Sequence, residues 1–161
     1  MKKSNILIKL FLFTLIIITI TGCSDLKTYK NNGIKITMMK GLFYKNHENA
    51  TVYYENDEIF VIALKEKFED LYELDINHET TIEKYVQEVF INSGQGYDLI
   101  HDENLYYYTY EYEINNNTYY YVSTIHKGKD GFWICNFACP KNLKDKHHDN
   151  FIKWGKTISF Y

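Results

Sequence analysis

The chain has 161 residues, with 18 lysines and no arginine against 21 acidic residues, for a formal net charge of −3. An acidic chain without the planar guanidinium fork is a poor match for phosphate backbones, so a nucleic-acid partner is not expected. The length suits one domain with a real core and leaves little room for a second.

Residues 1–22 have the layout of a secretory signal. Lys2, Lys3 and Lys9 give a positive start, no acid occurs before Asp25, and Leu10 to Ile20 is apolar apart from two threonines. As a helix that run would reach about 16 Å, and a permanent span needs roughly 20 apolar residues. A short apolar core followed by small residues is what a signal peptidase removes. The boundary reads Ile20-Thr21-Gly22-Cys23, which resembles the lipobox of bacterial lipoproteins, with Ile20 where leucine is usual. In that family the cysteine thiol receives diacylglycerol, the signal is cut before it, and the new amine can be acylated. The resemblance implies lipid attachment at Cys23, with the protein lipid-anchored on the extracytoplasmic face of the cell membrane. Two acyl chains hold a protein to a bilayer where one binds only marginally. The plain alternative is an ordinary signal or an uncleaved anchor that happens to end in cysteine. Removal of residues 1–22 leaves 15 lysines against the 21 acids, a net charge of −6.

Residues 23–32 are polar and aperiodic and read as a lipidated tether, with a single domain over 33–161. Alternation over 33–39 predicts a first strand, "ATVYY" at 50–54 a second, and "EIFVIALKEKF" at 58–68 a longer, mostly buried third. A helix is predicted over 81–92. Thr80 and Glu83 fit a capping box, Ile82, Tyr85, Val86, Val89 and Phe90 form one apolar stripe, and Gly94 suits the stop. Two tyrosine-rich strands then flank an asparagine turn. Placing the turn at Asn116-Asn117 pairs Tyr112 with Tyr121, Tyr110 with Ser123 and Tyr108 with Ile125. "GKDG" at 128–131 turns the chain again, and 132–138 completes a three-stranded antiparallel meander. Lys144 to Lys156 reads as a helix with His147, Phe151 and Trp154 on its inner side. Gly155 weakens its last turn, and "TISFY" closes the chain as a short strand.

The segment "GFWICNFACPKNLKDKHHDNFIKWGKTISF" (131–160) resembles the end of PsbP-like domains of bacterial lipoproteins: a meander strand, a Cys-Pro turn, a helix and a short final strand that closes the sheet. The resemblance implies an α+β fold, an antiparallel β-sheet flanked by two helices in a PsbP-like α/β/α sandwich. It also implies a protein that binds or assists and does not catalyse. The roles of better-known branches, an extrinsic photosystem subunit and a nuclear-import factor, do not carry over, because no binding residue of either can be matched here. A cystatin-like or NTF2-like sheet is the rival, but it places its helix early and ends in sheet.

No catalytic motif emerges. His47-Glu48 and His78-Glu79 start like a zinc-protease motif, but the second histidine is missing at Thr51 and Ile82. His147-His148-Asp149 lacks the i, i+4 partner a helical metal site needs, so a solvated face is the simpler reading and no metal or cofactor is expected. Cys135 and Cys139 lie about 13 Å apart if in one strand, beyond disulfide reach, and read as buried free thiols unless the chain bends at Ala138 to Pro140. His126 is the nearest base for a cysteine nucleophile, with nothing forcing it close. Ser93-Gly94-Gln95-Gly96 is a helix exit rather than a phosphate cradle.

The 16 tyrosines are the unusual feature. A sheet buried on both faces accounts for most of them. The functional reading is an amphipathic surface, with Tyr107, Tyr120 and His126 as candidates, for an envelope protein, peptide or glycan. The expected function is a membrane-anchored, non-catalytic binding or accessory domain of the cell envelope. The alternatives are an envelope hydrolase with a site of scattered residues, and a chaperone or immunity-type partner of a secreted protein.

Overall fold

A computed structural model describes residues 26–91 and 97–161. Cys23, the predicted signal and Gly94 lie outside the described residues. In chain order the elements are β1 (Leu26–Asn31), β2 (Ile34–Met39), β3 (Phe43–Tyr44), β4 (Val52–Glu55) and β5 (Phe60–Lys67). Then come α1 (Ile82–Val86, continued as a π-helical turn over Gln87–Ile91), β6 (Ile100–Asp102), β7 (Leu105–Ile114), β8 (Asn117–Lys127) and β9 (Gly131–Pro140). Last are α2 (Lys144–Gly155) and β10 (Ser159–Phe160).

The strands form two antiparallel sheets, a large one of order β3-β4-β5-β9-β8-β7-β6 and a small one of order β1-β2-β10. The fold is α+β, with α1 on one face of the large sheet and α2 with the small sheet on the other. Two cores follow from this layering. Under α2, Val61, Val122, Phe137 and Trp133 meet Phe151 and Trp154 of the helix and Ile34, Ile36 and Met38 of β2. Under α1, Tyr85, Val86 and Phe90 pack on Tyr108, Ile125, Phe132 and Ile134. Tyr85 stacks flat on Phe132, ring centroids 4.0 Å apart, and its hydroxyl donates to Glu66 at 2.6 Å.

Four sequence expectations change. Residues 24–32 do not form a tether throughout. Leu26–Asn31 is a strand that pairs with β2 across an Asn32-Gly33 turn, both residues at positive φ. Tyr29 is buried there, and its hydroxyl donates to the Met39 carbonyl at 3.0 Å and accepts from the Leu42 amide at 3.2 Å. The helix cap is Thr81, whose side chain accepts from the Lys84 amide at 3.2 Å. Thr80 is buried and caps the preceding turn by accepting from the Asn77 amide instead. The tyrosine hairpin turns at Asn115-Asn116, both at positive φ, so Tyr112 pairs with Tyr119, Tyr110 with Tyr121 and Tyr108 with Ser123. The slip from the expected register is two residues, so every side chain keeps its face. Finally, β10 joins β2 in the small sheet and does not close the large one.

Gly155 is a contact glycine. A Cβ there would lie 2.8 Å from Thr124 Cγ2 and 3.3 Å from Leu105 Cδ2, so its bareness lets the end of α2 lie on β8 and β7. Cys135 and Cys139 sit in one continuous strand, both buried and both free.

Candidate functional site

The face of the large sheet that carries α1 is covered by that helix at one end only. Towards the other end the register lines up Glu55, Phe60, Ala138, Tyr121 and Tyr110 across five strands. Ala138 is the small member of this row. Phe60 and Tyr121 lean over it and meet at 5.8 Å between centroids, although their strands lie about 9.6 Å apart. Tyr121 stacks on Tyr110 at 4.6 Å and 7°. Tyr110 continues to Tyr97 at 5.2 Å, and on the far side Phe60 is followed by Tyr53 at 6.5 Å. Phe60, Tyr119 and Tyr121 belong to neither core. Tyr53, Phe60, Tyr110 and Tyr119 are half-buried and Tyr112 is exposed.

Beneath the rings the Ser123 hydroxyl donates to the Asn136 side-chain oxygen. The Tyr53 hydroxyl donates to Glu55, which Lys45 also contacts. Burial pushes the Tyr121 phenol up to about 12, so it stays a neutral hydrogen-bonding group at any physiological pH. Because Tyr121 stacks on Tyr110 and Tyr53 on Phe60, those faces are already used. Tyr53, Phe60, Tyr110 and Tyr119 keep part of their surface open to solvent, while Tyr121 between them is buried. Such a surface suits a partner that mixes apolar and polar groups, as protein surfaces do, better than a flat sugar ring that needs a free aromatic face.

A second feature is a groove of about 680 Å³ between β3, β4 and α2, lined by Phe43, Lys45, Glu55, Glu58 and Lys146 among others. That volume would admit a small molecule. Its charges, however, pair with one another. Lys146 donates to both Glu58 oxygens at 2.6 and 2.7 Å and holds that carboxyl below the usual range. Lys45 does the same for Glu55. Neither carboxyl is set up as a proton donor. His147 lies beneath the groove with Nε2 3.1 Å from Glu58, while its buried Nδ1 has no hydrogen-bond partner. Burial lowers the pKa of this ring. Burial, with Glu58 adding to it, pushes the Cys139 thiol up to about 11, the reverse of what a nucleophile needs. Among the described residues no group of three His, Cys, Asp or Glu side chains could hold a metal ion.

The three residues expected to form a binding surface share the α2 face of the sheet, not the open one. Tyr120 is 2% exposed, so it is a core ring and not a surface one. Its hydroxyl meets His148 Nδ1 at 2.7 Å. Tyr107 is half-buried against the same core. His126 is tucked beside Phe160, its Nε2 3.0 Å from the Thr124 hydroxyl, and burial lowers it to about 4. The tyrosine count pointed to an aromatic surface, but strand parity put these residues on the α2 face, where Tyr120 is buried and Tyr107 and His126 are half-buried. Phe60 and Tyr53 were missed because only the pairing through β9 brings them to Tyr121.

No family model matches the chain, and no curated protein does. Solved structures do resemble it. The solution structure of the cyanobacterial PsbP protein CyanoP from Synechocystis superposes with a TM-score of 0.55 at 12% identity, covering 88% of this chain and 95% of that one. A protein from Bacteroides thetaiotaomicron gives 0.54 at 12% identity, covering 85% of this chain and 49% of that one. LpqN of Mycobacterium tuberculosis, described as involved in cell envelope biogenesis, gives 0.47 at 10%, covering 83% and 89%. At these identities the likeness is one of fold. The chain has a PsbP-like α+β fold, as the pattern of its last thirty residues implied.

Proposed function

We propose that the protein is an extracytoplasmic lipoprotein, anchored through Cys23, whose domain is a non-catalytic accessory module that docks a protein partner of the envelope. The observation that carries this reading is the half-open aromatic row in which half-buried Tyr53, Phe60 and Tyr110 flank the buried Tyr121 ring, a surface of rigid rings and hydroxyls with no reactive group in it. Tyrosine gives large contact area at small entropy cost, and its hydroxyl supplies direction. The paired carboxylates of the groove and the buried, protonated Cys139 thiol favour binding over hydrolysis. Lipidation is tested by growing cells with labelled palmitate: the natural chain should take up label and Cys23→Ala should not. Docking is tested by placing a photo-crosslinking phenylalanine at Tyr112 or Tyr53 in intact cells, with exposed Tyr72 in the β5–α1 connection, at the opposite end of the sheet, as the control. A discrete cross-linked band at the first two sites alone is the expected result. Cross-links of equal yield at Tyr72 would remove the face from consideration.

A further inference from the structure

The described chain starts at Leu26, and Leu26 is already the first residue of β1. Three virtual bonds separate it from Cys23, which is at most about 11 Å of chain. The headgroup layer on each side of a bilayer is roughly 5–8 Å thick. A diacylglyceryl group on Cys23 puts that residue at the headgroup level. The folded domain then has no freedom to stand off: whatever lies beside Leu26 meets the membrane. This argument rests on the lipid anchor proposed above.

What lies there is apolar and exposed. Leu26 pairs with Met39. Met39 lines a small groove with Leu26 and, on its other side, the larger groove with Gly41 and Phe43. Gly41 has a φ of +85°, a conformation that side chains disfavour, and the chain turns there into β3. Phe43 on β3 is 68% exposed and Leu26 is 44% exposed. A phenylalanine exposed to this degree on a two-residue edge strand contributes little to the fold. Lys40, Lys45 and Lys146 line the same two grooves, where their stems can lie along apolar surface with the ammonium groups at headgroup depth.

We infer that the Leu26–Met39–Phe43 end of the domain is a second membrane contact, with Phe43 inserted into the lipid interface beside the acyl anchor. The contact is apolar in origin. Lys45 is paired with Glu55 and Lys146 with Glu58, and the chain from Cys23 onward carries more acid than base, so anionic lipid is not required. The contact fixes an orientation. The β5–α1 connection, with Tyr72 exposed on it, points away from the bilayer, about 25 Å along β5 from the anchored end. The aromatic row then opens sideways, within reach of another membrane-bound protein.

The test uses the lipidated protein purified from cells and reconstituted into phosphatidylcholine vesicles containing brominated lipid. Phe43→Trp and Tyr72→Trp are compared after subtraction of the natural chain's own fluorescence. Phe43→Trp should be blue-shifted and quenched several-fold more than Tyr72→Trp, at low and at high salt alike. Equal quenching at the two sites, or stronger quenching at Tyr72→Trp, overturns the orientation. Quenching of Phe43→Trp that needs anionic lipid or disappears at high salt overturns the apolar contact. Mass spectrometry of the N-terminal peptide from the same sample reports the anchor separately. An acylated chain with an unquenched Phe43→Trp defeats the contact and leaves the anchor standing, whereas a chain without acyl groups defeats both.

Discussion

Trp154 and His148 share α2 but not an environment. Trp154 is 4% exposed and touches Phe137 and Phe151, so Trp154→Ala should cost about 3–5 kcal/mol, read as a large fall in the urea midpoint. His148 was expected to face solvent, yet it is half-buried with Nδ1 on the Tyr120 hydroxyl. His148→Ala should therefore cost about 0.5–1.5 kcal/mol rather than nothing. A loss larger than that of Trp154→Ala would mean the helix is rotated. Two other histidines set the response to acid. Burial lowers His126 from 6.5 to about 4 and lowers His147 as well. The unfolded chain takes up protons on these rings near pH 6.5, before the folded chain does. For His126 the resulting stability is complete above about pH 6.5 and is lost as pH falls towards 4, with about 3 kcal/mol at stake, and His147 acts in the same direction. Urea midpoints measured across this window should fall with pH, and His126→Gln should flatten the slope. An unchanged slope in that variant would assign the acid loss to other groups.

At the level of elements, Gly155 sets helix propensity against packing. Alanine is the better helix former by up to about 1 kcal/mol. Against this, the added methyl would fall 2.8 Å from Thr124 on a buried strand, and overpacking costs about 1–3 kcal/mol. Packing should win: Gly155→Ala is expected to destabilise by about 1 kcal/mol or more in chemical denaturation, and a more stable variant would show that α2 can lift off β8 freely. The sequence marks this glycine as a weak helix end, because propensity is a local quantity. The reason it is a glycine lies on β7 and β8, dozens of residues earlier. Similarly, the alternation of the tyrosine hairpin is readable, while its register is not. Any adjacent pair among Asn115, Asn116 and Asn117 can adopt the left-handed turn, and only the pairing of β8 with β9 selects one.

On the scale of the whole molecule, the small sheet decides where the domain begins. The polar character of residues 24–32 suggests a domain starting at Gly33. Yet β1 buries Tyr29 and occupies one edge of β2, with β10 on the other. A chain from Leu26 should fold cooperatively. A chain from Gly33 loses a buried aromatic, a cost of about 3–5 kcal/mol, and leaves a row of β2 backbone groups unpaired. Circular dichroism melts of the two should differ sharply, and equal midpoints would show that β1 is an ornament on a domain that starts at Gly33. For the proposed anchor, the same sheet sets the geometry, since a strand beginning at Leu26 is what would shorten the leash from Cys23.

By itself the sequence determined what depends on near neighbours. The spacing of His147, Phe151 and Trp154 specified the inner side of α2, and all three are buried. Alternation and turn residues specified the meander. The last thirty residues carried the pattern of the fold. Only the tertiary structure decided which aromatics are surface and which are core. Tyr120 went inside under α2, and Phe60 met Tyr121 over Ala138, because strand pairing joins residues about sixty positions apart and no local pattern records which small residue will lie between two rings. Glu58 found His147 in the same way, through the approach of the β4–β5 turn to the first turn of α2. Local periodicity is written in the order of residues; the faces they share are fixed only when the layers close.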